Sequence, residues 1–195
     1  MLNLNPAMMA NGLGLLALFT YALTLIPSSL KIVYPVIHKQ KIIVKLLQKR
    51  RQLGIVTFLI SLGHAGLFIV NRQRDFYNWK NYPTYINGIA ILFIFTLLAV
   101  TSNNWSVKKM KKNWRYLHKL TYVALFLLLW HVDEKMSGHW TCITPLALGT
   151  ITAAITFFLL RVGIYIVSGD VGIIFSRHSK VWDSRAIVTK AQSQK

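Results

Sequence analysis

Charge and apolarity are segregated along this chain, and that segregation restricts the fold more than any single motif does. No charged residue occurs from Met1 to Leu30, and the apolar run from Met9 to Ile26 is long enough to cross a bilayer. Further runs of this kind lie at about Gln52 to Val70, Tyr85 to Thr101, Trp114 to Val132 and Ile143 to Val167. A soluble protein of net charge +18 would ordinarily bind nucleic acid, but 54% apolar residues arranged in blocks point to a membrane. The expected fold is therefore an all-α integral membrane protein, a five-helix transmembrane bundle over residues 1–168. A basic cytoplasmic tail, 169–195, follows it.

The blocks between the runs carry further expectations. Pro27-Ser28-Ser29 closes the first span. Lys31 to Arg51 holds seven Lys or Arg and no acid, and its apolar residues (Ile32, Val33, Val36, Ile42, Ile43, Leu46, Leu47) mostly keep helical spacing. That pattern suits a helix lying along the membrane surface. Ser102 to Lys119 carries six more bases and again no acid. Together these two connections hold thirteen basic residues, against four in the other two loops. Positive loops stay in the cytoplasm, which puts the N-terminus outside and the C-terminus inside. Trp79, Tyr82, Trp130 and Trp140 then mark the outer interface, Trp105 and Trp114 the inner one.

Histidines within spans are the candidate functional groups, because an ionisable side chain at membrane depth is costly. His64 lies on the second span, in Leu62-Gly63-His64-Ala65-Gly66, where small neighbours leave room for a flat ligand near the backbone. His118 and His131 lie at either end of KNWRYLHKLTYVALFLLLWHV, Lys112 to Val132. The pairs Arg51/His64 and His118/His131 are each thirteen residues apart, or about 20 Å along a helix. The second and fourth spans run parallel, so Arg51 and His118 share an inner level while His64 and His131 share an outer one. Two imidazoles at one depth suggest a haem held between the second and fourth spans, suited to electron transfer. The plainer alternative for each is a histidine that only hydrogen-bonds a neighbouring helix. A single cysteine, Cys142, rules out C-x-x-C-H attachment, so such a haem is b-type. Arg51 is placed to neutralise a propionate of a second, inner haem beside His118. Thirteen residues of ideal helix leave His118 and His131 some 140° apart, so one gap serves both only if that helix bends or rewinds. His38, His139 and His178 fall in loops or the tail, where solvated side chains are expected.

Three ordered signals resemble the ferric reductase-like transmembrane superfamily. They are Arg50-Arg51-x-Leu53-Gly54 with His64; Leu97-Leu98-Ala99-Val100-Thr101-Ser102; and Trp114-x-x-Leu117-His118-x-x-x-Tyr122 with His131. They span about Leu13 to Val167. Within the superfamily the chain is most similar to haem-binding membrane subunits of methionine sulfoxide reductase systems. The resemblance implies that His64 and His131 ligate an outer haem b and that His118 serves a second; it also admits FMN. Arg51 stands where two-haem members carry their inner histidine. Only 28 residues follow Val167, too few for FAD- and NADPH-binding domains, and no G-x-G-x-x-G fingerprint is present. A separate flavoprotein reductase or a quinol is thus the expected donor, and an outer-side redox partner or metal ion the expected acceptor. For ferric or cupric ions the visible acceptor groups are Asp133, Glu134 and His139. The contrasting class is a non-redox membrane subunit whose basic face binds lipid or an acidic partner; a nucleic-acid role has little support.

Overall fold

In lipid every backbone polar group must be satisfied within the segment, so uninterrupted apolar runs become helices. The computed structural model describes residues 6–34, 36, 40–71, 82–136 and 143–167. They form α1 (Pro6–Val33), α2 (Lys41–Asn71), α3 (Tyr82–Val100), α4 (Asn104–Met110), α5 (Lys112–Leu117), α6 (Leu120–Met136) and α7 (Ile143–Val167). By length and composition α1, α2, α3 and α7 are each able to cross a membrane. Large apolar side chains face outward along them, among them Leu16, Phe19, Leu59, Leu62, Ile89, Phe93, Leu159 and Ile166. Water would not tolerate such a belt; hydrocarbon does. The chain is a multi-pass integral membrane protein. His38, His139, His178, Cys142, Trp79, Trp140 and the basic tail lie outside the described residues.

The long helices close a ring in which α1 packs on α2, α2 on α3, α3 on α6, α6 on α7 and α7 back on α1. The second and fourth expected spans, α2 and α6, are therefore not neighbours in it. Half of the most apolar stretch of α1 is buried, against 6% of that of α2, so α1 is the more enclosed of the two. Its Tyr21 and Leu25 join Ile91, Ile94 and Phe95 of α3, Ala124 and Leu125 of α6 and Ala154 of α7 in the main core. The Tyr21 ring lies 5.2 Å from Phe95, and its hydroxyl donates to the Thr121 carbonyl on α6. Thr20 and Thr57 hydroxyls meet at 3.1 Å and join α1 to α2.

Three expected boundaries are corrected. The first span does not end at Pro27; α1 runs on to Val33 with that proline inside it. Buried Thr24 and Ser28 donate their hydroxyls to the carbonyls of Tyr21 and Leu25, both at 2.7 Å. Such local bonds are how a membrane helix accommodates a proline. The basic block from Lys41 is no separate surface helix but the start of α2, whose 31 residues reach about 46 Å, well beyond a ~30 Å hydrocarbon core. The fourth span is interrupted. Lys111, at φ 48°, turns the corner between α4 and α5, and the chain tightens again at His118–Lys119. There Lys119 N–H bonds Tyr116 O at 3.1 Å and Tyr122 N–H bonds Lys119 O at 2.9 Å. These i→i−3 bonds break the α-helical register. The 140° offset expected on an ideal helix therefore no longer governs how His118 and His131 face.

Packing, more than polar bonding, should hold this bundle together. Leu125 is 1% exposed, and Leu125→Ala leaves a cavity costing about 2 kcal/mol or more. Tyr21→Phe removes one interhelical hydrogen bond, worth roughly 0.6 kcal/mol in membranes. Unfolding of the purified protein by titrated SDS should rank the two in that order.

Candidate functional site

His64 projects from α2 towards α1. Its Nδ1 lies 2.7 Å from the Ala10 carbonyl. A carbonyl only accepts, so Nδ1 carries the proton, and in the neutral ring Nε2 keeps its lone pair for another partner. This is the arrangement that orients a metal-ligating imidazole. Gly14, one turn along α1, makes room for the ring: a Cβ there would sit 3.1 Å from Cε1 and 3.2 Å from Nδ1.

His131, near the end of α6, is seated on α3 in the same manner. A Cβ on Gly88 would lie 3.2 Å from its Cε1. Its buried Nδ1 has no protein partner. His64 and His131 are close enough to interact electrostatically, and both feel Lys135. Phe68 joins the group, 6.4 Å from the His64 ring and 5.7 Å from Tyr85, with the Lys135 ammonium 4.4 Å above it. Next to this cluster, Trp130 donates its indole N–H to Glu134 at 2.7 Å. The structure thus brings His64 and His131 to one end of the bundle, on helices that are not neighbours.

The opposite end holds the other two sequence candidates. His118 closes α5, with its ring 4.1 Å from Trp114. Its Nε2 faces the Thr101 hydroxyl at 3.4 Å, and Trp114 donates to the Thr101 carbonyl at 2.9 Å. Arg50 and Arg51 are near enough to act on His118 electrostatically. Arg51 itself donates to Asn104 Oδ1 at 2.6 Å on the exposed rim, which ties α2 to α4. Of the described glycines, only Gly14 and Gly88 face a histidine, so His118 has no such slot.

Those two glycines and Arg161 went unnoticed in the sequence. Arg161 lies in α7, is 7% exposed, and donates Nη1 to the Tyr122 hydroxyl at 2.8 Å. A lone charge within an apolar run was its signal. Nothing comparable marked the glycines, because the histidines they face lie on other helices.

Chemically, among the described residues no cluster of three or more His, Cys, Asp or Glu can enclose a bare metal ion. Two imidazoles are enough where a macrocycle supplies the remaining ligands. The free lone pair on His64, the orphaned nitrogen on His131 and the two glycine slots fit such a group.

Residues 9–129 match the family described as ferric reductase like transmembrane component. The chain belongs to that family. Curated relatives include the protein-methionine-sulfoxide reductase heme-binding subunits MsrQ of Brucella ovis, Brucella canis and Brucella suis. Each is 34% identical over 87 residues, covering 42% of this chain and 40% of the relative. The match therefore spans well under half the length of those relatives. No solved structure matches. The matched family region takes in α1 to α5 and most of α6, and so includes His64 and His118; His131 lies two residues beyond its end.

Proposed function

We propose that this ferric reductase-like chain is a b-type cytochrome subunit that carries electrons across or into the membrane. The observation behind this is the pairing of His64 and His131 at one end, each seated on a glycine of a neighbouring helix. These two side chains hold the haem, which when bound supplies a one-electron ferric/ferrous couple. The Ala10 carbonyl fixes the His64 tautomer. Both imidazoles would be taken up by the haem, so the site would suit electron transfer rather than oxygen binding.

In this reading five spans cross the bilayer, with α5 and α6 together serving as the fourth. The N-terminus is outside and the C-terminus cytoplasmic, as is the 169–195 tail. A flavoprotein reductase or quinol donates at the basic end, and an acceptor takes electrons near Trp130 and Asp133. His118 is available to a second haem, and FMN is a further candidate; the names of the MsrQ relatives support the haem itself.

Purified protein should show a Soret band and about one haem per chain by pyridine haemochrome, since among the described residues only one end offers two imidazoles. No Soret band after expression with haem supply would refute the proposal, and two haems per chain would assign His118. Gly88→Val should perturb the band without loss of fold, because the added side chain occupies the space of the His131 ring. An unchanged spectrum would separate His131 from the haem.

A further inference from the structure

Arg161 is a cation buried in a membrane helix, and no anion accompanies it among the described residues. It lies six residues before the end of α7, about 9 Å inside the helix terminus. An arginine there would ordinarily extend its guanidinium to the headgroups. This one turns inward to the Tyr122 hydroxyl, and its guanidinium carbon lies 5.9 Å from the ring centres of both Tyr122 and Tyr165. A guanidinium has five N–H donors, and the phenol accepts from one of its nitrogens.

Carboxylates are scarce. The chain has five acids, of which Asp133 and Glu134 are described and Asp75, Asp170 and Asp183 lie outside the described residues. Asp133 is eleven residues along α6 from Tyr122, about 17 Å away. Taking a guanidinium out of water is costly unless an anion and further hydrogen bonds offset it. Two aromatic faces and a neutral hydroxyl offset only part of that cost. Among the described residues the arrangement lacks an anion.

Arg161 is thus better placed for an acid group than Arg51, which is engaged by Asn104 on the rim. Tyr122 follows His118 by four residues, one turn nearer the middle of the bundle. Phe158 stacks on Tyr122 at 4.5 Å and Phe126 lies edge-on to Phe158 at 6.2 Å, so the guanidinium sits beside apolar rings.

We infer that Arg161, positioned by Tyr122, binds an acidic oxygen group, carboxylate or phosphate, of an amphiphile entering the bundle from the membrane at its basic end. Guanidinium takes both groups bidentately. Two sources share this chemistry. One is a propionate of a second haem beside His118, which rests on the proposed function above; the other is an anionic phospholipid phosphate.

The test compares wild type, Arg161→Lys and Arg161→Gln, purified in mild detergent with added phosphatidylglycerol. For the lipid, retained phosphatidylglycerol after washing should fall roughly tenfold in Arg161→Gln and stay near wild type in Arg161→Lys. For the propionate, Arg161→Gln should lower the haem midpoint potential, and dimethyl-ester haem should abolish the difference between variant and wild type. Either result supports the site. An Arg161→Gln protein of unchanged melting temperature that alters neither quantity overturns it. So does a double-mutant cycle showing that Arg161 is instead strongly coupled to Asp170. Tyr122→Phe keeps the charge but removes its tether, and covers the case in which Arg161→Gln does not fold. It should weaken retention or shift the potential in the same direction, and no change in either overturns the proposal. Absence of haem in wild type defeats the cytochrome proposal but leaves the phospholipid measurement decisive.

Discussion

His64→Ala and His131→Ala should each abolish the low-spin haem spectrum of the purified protein, whereas His118→Ala should leave it. The expected effect is close to complete because each substitution removes one of only two imidazoles at that end. Neither the Phe68 ring nor the Lys135 ammonium, which rests over that ring, replaces them. His118 stands at the other end against Trp114 and Thr101, so its loss removes at most a second haem. Difference spectra of dithionite-reduced against oxidised protein, with SDS-unfolding curves as a control for folding, make the measurement. If His118→Ala removed all haem while His64→Ala retained it, the assignment by depth would be wrong.

Reduction by a cytoplasmic flavoprotein should slow steeply as salt rises, by about tenfold or more between low and high ionic strength. The basis is the face made by Lys41, Lys45 and Lys49 on α2 with Lys108, Lys109, Lys111, Lys112 and Arg115 around α4 and α5, all exposed. No acid is present at that end among the described residues. Because α2 continues about three turns beyond what the hydrocarbon requires, its lysines stand out from the membrane. Charges of this kind steer association and are screened over about 8 Å at physiological ionic strength. Lys112→Glu and Lys109→Glu should slow reduction further without altering the haem spectrum. Lys112 is the cleaner probe, since the Lys109 ammonium also lies 4.5 Å above the Trp105 ring. Stopped-flow reduction across a salt series decides the matter; fast, salt-independent reduction by a membrane quinol, indifferent to both reversals, would sink the docking face.

The membrane class and the helical content could be read directly from the sequence. Apolar runs of this length admit no other backbone solution in lipid, and the spacing of His64 from Arg51 along one helix sets their separation without reference to any other element. The common depth of His64 and His131 followed from connectivity, because two spans entered from the same side place equal steps at equal heights. Lateral relations were different in kind. Which helices adjoin, and which way a ring turns about its axis, depends on packing between apolar surfaces that are alike in composition, so periodicity carries little information about it. Only the tertiary structure seats His64 on Gly14 and His131 on Gly88, since each contact joins positions far apart in the chain. The tight turn at His118–Lys119 resets the facing of α6, a local change of hydrogen-bond register within an otherwise helical composition. Arg161 shows the same division. Its sequence position put a charge at membrane depth, but whether that charge reaches the headgroups or turns inward was decided by the Tyr122 hydroxyl on another helix.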